Sequence, residues 1–153
     1  MCTSVVYKNY FGRNLDYHHG FNEKVVITPR NFSLKFKCRS SFEKHFSIIG
    51  MASVVEGEPL YFDGINEKGL GMAGLNFVGN AVYFEHQKGK DNITPFEFIP
   101  WILGQCSSVR ETTELLEKTN LVDIPFNEQI PLAQLHWMIA DEKVAPITES
   151  VKC

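Results

Sequence analysis

The 153-residue chain is 44% hydrophobic and 22% charged, a balance that supports one globular domain with a core of its own. Its formal charge of −3, with Lys and Arg scattered among Asp and Glu, leaves no basic stripe for a phosphate backbone, so nucleic acid is not an expected partner. Apolar runs such as 46–51 are far shorter than the ~20 residues of a membrane helix, and the first residues lack a basic, then apolar, leader; a cytoplasmic protein, not a membrane one, is expected. Cys2, Cys38, Cys106 and Cys153 stand far apart with no CxxC spacing, which points to reduced thiols and to neither a metal site nor a disulfide framework.

In chain order, Thr3–Tyr7 is β-branched and aromatic and predicts a strand starting almost at the first residue. Residues 11–16 and Lys24–Thr28 follow as further extended pieces, and the three together predict an antiparallel meander. Residues 45–55 and 60–64 lead into Asn66-Glu67-Lys68-Gly69, a polar turn with glycine where positive φ is needed. Residues 70–77 return as a strand poor in side chains, the pattern expected where a neighbour or ligand approaches the backbone closely. Thr94, Pro95 and Glu97 predict an N-cap, first helical position and capping box for a helix running to about Cys106. Ser108 and Glu111 open a second helix, with Val109, Thr112, Leu115 and Leu116 on its apolar face, and the two helices form a hairpin lying on a sheet. Leu135–Ala140 and 144–149 are strands joined by Asp141-Glu142-Lys143. The class is α+β.

The first chemical candidate is Cys2. Removal of Met1 would leave a thiol and an α-amine on one residue, and an α-amine that titrates at about 7.7–8.0 can act as base for its own thiol. Alone, Cys2 also reads as a small second residue suited to N-terminal processing. Arg13 and Asp16, three residues apart, could favour thiolate and orient the amine, or form a surface ion pair. Asn76 offers an amide donor to a developing oxyanion, or caps a strand end. His18 and His19 point to opposite faces if extended and do not suggest a shared metal. His136, beside Trp137, reads as a core histidine, Cys38, Cys106 and Cys153 as packing or surface thiols, and Phe96, Phe98 and Trp101 as a helix core face.

Met1-Cys2-Thr3, Phe11-Gly12-Arg13-Asn14-Leu15-Asp16, Ile27-Thr28-Pro29-Arg30-Asn31, Asn66 to Gly71, Ala73 to Phe77 and Leu135 to Ile139 together resemble the choloylglycine hydrolases, the bile salt hydrolases and penicillin V acylases of the N-terminal nucleophile superfamily. The six blocks run in the family's order over essentially the whole chain. The resemblance implies an αββα sandwich, here incomplete because family members are longer, with residues 1–153 forming the N-terminal portion of a single domain. It implies Cys2 as nucleophile, Arg13 and Asp16 as its active-site pair, and Asn76 on the oxyanion side. Asparagine at that position tilts toward the bile salt branch.

The implied reaction is hydrolysis of the amide bond of glycine- or taurine-conjugated bile salts, without metal or cofactor. Arg13, Asn76, Leu15 and Phe21 are the expected substrate contacts, joined by the segment 124–132 around an apolar pocket. The family's later asparagine and arginine have no counterpart in the chain. A penicillin V acylase and a noncatalytic or steroid-binding remnant are therefore the alternative readings, and a homo-oligomer is left open for a longer form.

Overall fold

The computed structural model describes residues 2–18 and 20–151. His19 and Cys153, and with His19 the reading of the histidine pair, lie outside the described residues. Among those described, eleven strands and two helices follow one another as β1 (Thr3–Tyr7), β2 (Tyr10–Asn14), β3 (Lys24–Thr28), β4 (Ile48–Val55), β5 (Glu58–Tyr61), β6 (Asp63–Asn66), β7 (Gly71–Asn76), β8 (Asp91–Ile93), α1 (Phe98–Leu103), α2 (Val109–Leu116), β9 (Thr119–Leu121), β10 (Leu135–Ala140) and β11 (Ile147–Thr148).

The principal sheet is antiparallel in the order β11-β10-β7-β6-β4-β3, with β5 also paired to β4. β1 and β2 form a separate two-stranded hairpin, and β8 and β9 a short parallel pair. The meander is thus corrected: β2 ends its pairing with β1, and β3 joins β4 in the other sheet. The reason is local. The segment 15–23 between β2 and β3 is too long for a hairpin turn, and its Phe21 carbonyl is tied to Ser53 Oγ.

Successive residues of a strand face opposite sides, and β7 uses both. A methyl group at Gly71 would come within 3.2 Å of the Phe11 ring, so this glycine lets the β1–β2 hairpin settle on one face of the sheet. On the other face, Met72 joins Phe98, Ile99, Trp101, Ile102 and Leu103 of α1 in the main apolar core. The turn before β7 bears out its prediction, with Gly69 at φ 86°.

Only half of the predicted capping box forms at α1. Glu97 Oε2 accepts from the Thr94 backbone N–H at 3.0 Å, but Thr94 Oγ1 is buried without a hydrogen-bond partner among the described residues, and regular helix begins at Phe98. Ser108 does cap α2, accepting from Glu111 N–H at 3.3 Å. The predicted helical hairpin is modified: α1 lies on β6 and β7, whereas α2 packs against β9. The last strand is also shorter than 144–149, because Asp141 Oδ1 accepts from Lys143 and Val144 N–H and keeps the chain in a turn there.

Candidate functional site

The ends of β4, β5, β7 and β10 surround a cavity of about 770 Å³. Its wall is largely apolar: Phe21, Val55, Leu60, Tyr61, Phe62 and Phe96 contribute, together with Ile130, Pro131 and Leu132 from the segment before β10. Arg13, Tyr17 and Asn76 give it a polar end. Phe21 and the later part of 124–132 are among its lining residues. Leu15 does not share it; it lines a second concavity with Val25, Ile49 and Asp63.

Arg13 is carried by β2 and its side chain is 6% exposed. Nη2 donates to the Gly74 carbonyl at 2.7 Å, crossing from the hairpin to β7. Nη1 stands 3.9 Å from Asp63 Oδ2, and the guanidinium lies over the Phe62 ring. Its Nε and Nη1 have no hydrogen-bond partner among the described residues. A buried cation with unspent donors is costly unless another acceptor joins it, which makes this end of the cavity receptive to negative charge. Trp137, fully buried on β10, also leaves Nε1 without a partner among the described residues at the same cavity.

Tyr17 draws the predicted residues together. Its hydroxyl donates to Asn76 Oδ1 at 2.9 Å. Burial above all, and then the charge of Cys2, push the phenol up; the Arg13 guanidinium acts in the opposite direction, and a hydrogen bond to Cys2 adds to the rise. Cys2, half-buried just before β1, and Arg13 thus both act on the phenol that donates to Asn76. Asp16 adjoins Tyr17 in the loop after β2 and is solvent-exposed.

The remaining candidates stand apart. Cys106 is buried, and that burial raises its thiol to about 11, which suits packing and not attack. Burial also raises Cys38. His136 is only half-buried: it stacks on Phe77 at 4.7 Å and pairs with Glu149 at 3.4 Å. Phe98 and Trp101 lie in the core, but Phe96 precedes α1 and faces the cavity, a correction to the three-residue core stripe. Tyr17, Phe62 and Ser53 were not singled out from sequence. The aromatic residue directly after the Arg13–Asp16 motif was the available signal for Tyr17; Phe62 and Ser53 are placed by strand pairing alone.

Residues 2–152 match the model of the linear amide C–N hydrolases, choloylglycine hydrolase family. The chain belongs to the choloylglycine hydrolase family. A bile salt hydrolase/transferase of Lactiplantibacillus plantarum is 52% identical over 155 residues, covering 99% of this chain and 48% of the relative. Another bile salt hydrolase/transferase, from Clostridium perfringens, is 40% identical and aligns over 92% of this chain and 45% of its own length. The solved conjugated bile acid hydrolase of Clostridium perfringens superposes with a TM-score of 0.88 at 37% identity, over 99% of this chain and 48% of that one.

A penicillin V acylase from Agrobacterium tumefaciens, at 18% identity and TM-score 0.71, covers 99% of this chain and 46% of that chain and shares the fold. The chain spans about half the length of the curated relatives it matches. Its α+β architecture is accordingly that of about half of the N-terminal nucleophile hydrolase fold.

Proposed function

We propose that this choloylglycine hydrolase chain serves the hydrolysis of conjugated bile salts at the amide joining a steroid acid to glycine or taurine. The observation that carries the proposal is the Tyr17–Asn76 hydrogen bond beside buried Arg13, at the polar end of a largely apolar cavity, with the charge of Cys2 acting on the same phenol. In this reading, Met1 is removed and the α-amine of Cys2 takes the thiol proton. The thiolate attacks the amide carbon, and the carbonyl oxygen gains negative charge beside the Asn76 amide. Collapse breaks the C–N bond as the α-ammonium returns its proton to the departing amine. Water then cleaves the thioester, releasing the steroid acid and regenerating the thiol.

The cavity wall of Phe21, Val55, Leu60, Phe62 and Ile130 suits a rigid apolar body. Arg13's unspent donors suit an anionic end. Cys2, Cys38 and Cys106 are free thiols, which fits action in a reducing cytoplasm.

The test is glycocholate turnover by the parent chain and by Cys2→Ala. The parent releases glycine, and Cys2→Ala loses turnover while its melting curve is unchanged. Equal turnover by the two would refute the nucleophile assignment. Assaying phenoxyacetic acid release from penicillin V on the same preparation distinguishes the acylase reading. Steroid binding without release of glycine would support the remnant reading instead.

A further inference from the structure

Trp137 is 0% exposed, and its indole N–H can only donate. Among the described residues it has no acceptor, whereas Trp101, the other tryptophan of the chain, donates to Thr119 Oγ1 at 3.4 Å. The direction of the free donor follows from strand register. Trp137 on β10 pairs with Gly74 on β7, and a Cβ at Gly74 would lie 3.4 Å from Nε1. Glycine thus leaves the space beside the N–H uncovered, and both residues line the cavity. The groups bordering that space are apolar or already engaged. Leu135 Cδ1 is apolar, and the Phe62 carbonyl accepts from Gly74 N–H at 2.9 Å. Further along the wall, Ser53 donates to the Phe21 carbonyl and Tyr61 is hydrogen-bonded to Thr28. A buried donor in such surroundings is left for a group that enters the cavity.

We propose that Trp137 is a specificity-determining residue whose Nε1–H binds a hydroxyl oxygen on the rigid apolar body of the ligand. The proposal rests on the reading of this cavity as a steroid-acid site. Asn76 stands on the same face of β7 two residues beyond Gly74, about 7 Å along the strand. The Asn76 amide and the indole N–H therefore address different parts of one ligand. Anionic groups are matched by Arg13, whose Nη2 reaches the Gly74 carbonyl from the hairpin. The indole is neutral, with the Phe98 ring edge-on to it at 4.6 Å, so an uncharged oxygen suits it better than an anion. A ring bearing only hydrogen at this point strands the donor, which is how a buried N–H rejects a ligand lacking the matching group. Gly74→Ala probes this without altering the indole. Its methyl reaches Nε1 at ordinary contact distance and covers the N–H, and Gly74 is not among the positive-φ glycines.

The experiment uses the 153-residue chain labelled with nitrogen-15 tryptophan and two free acids. Cholate carries ring hydroxyls; cholanate has the same nucleus and acid side chain without them. The indole signal of Trp137 is identified by its Overhauser contact to the Gly74 α-proton. Cholate moves that signal downfield and slows its exchange with heavy water, whereas cholanate at the same saturation does neither. Gly74→Ala weakens cholate about tenfold, the equivalent of one hydrogen bond, and changes cholanate by less than about twofold. The same indole response to both acids, or equal weakening of both by Gly74→Ala, would overturn the donor assignment and leave the steroid site standing. Failure of both acids to bind would overturn the steroid-site reading and the donor assignment with it. Neither acid contains the amide, so hydrolysis does not enter the outcome.

Discussion

Glu67 shows how much one side chain in a turn can hold. Its carboxylate accepts from Arg30 Nε at 2.8 Å and from the Ser47 backbone N–H at 3.0 Å, joining the chain after β3 to the start of β4. The Arg30 hydrogen bond first, and then the Ser47 amide, lower Glu67 from 4.5 to about 2. A carboxyl group depressed in the folded state contributes stability above its unfolded value and loses it as pH falls through its folded one. The loss therefore lies between about 4.5 and about 2. Glu67→Gln should melt at a lower temperature than the parent at neutral pH, and the difference should shrink across that acid window. Thermal unfolding followed by circular dichroism at several pH values measures it; a constant difference would contradict this account. From sequence, Glu67 was legible only as part of a polar turn, because Arg30 lies 37 residues away.

Between elements, Asn66 fastens the β6–β7 turn to the end of α1. Its Nδ2 donates to the carbonyls of Leu103 and Cys106, at 2.8 and 2.7 Å, while Oδ1 accepts from Lys68 and Leu70 N–H at 3.0 and 3.1 Å. Carbonyls at a helix C-terminus have no intrahelical partner, and this buried amide satisfies two carbonyls at that end. Asn66→Ala should cost about 2–4 kcal/mol, since it strands buried backbone donors and acceptors together. Asn66→Asp should be no better, because an ionised carboxylate cannot donate to the two carbonyls. Urea denaturation checks both; a midpoint equal to that of the parent would show that water replaces the amide at no cost. Alternation and cap residues made β1, β3, β10 and α2 readable, since those signals lie within each element. The false meander and the half-formed capping box at α1 depended on what packs against them.

At the scale of the molecule, the sheet face that receives the β1–β2 hairpin extends past it as an apolar surface. Ile27 pairs with Ile49 and Ile49 with Ile65, and these side chains are 67%, 43% and 39% exposed in a row across β3, β4 and β6. A continuous exposed row of this kind binds apolar probes. The 153-residue chain should enhance the fluorescence of anilinonaphthalene sulfonate while natively folded, and Ile49→Thr should reduce the enhancement by about half without lowering cooperativity of unfolding. Equal fluorescence from parent and variant would place dye binding elsewhere, such as the cavity beside Phe21 and Phe62.

Sequence by itself determined the α+β class, most strand positions and the family, because periodicity, capping chemistry and ordered motifs are written along the chain. It also placed Cys2, Arg13 and Asn76 on elements that could converge. Only the tertiary structure decided that Tyr17 donates to Asn76, that Arg13 is buried with donors unspent, and that Leu15 faces a different concavity from Phe21. Those outcomes depend on strand register and on the seating of one hairpin upon Gly71. They are contacts between residues tens of positions apart, and no local pattern encodes their distance or direction.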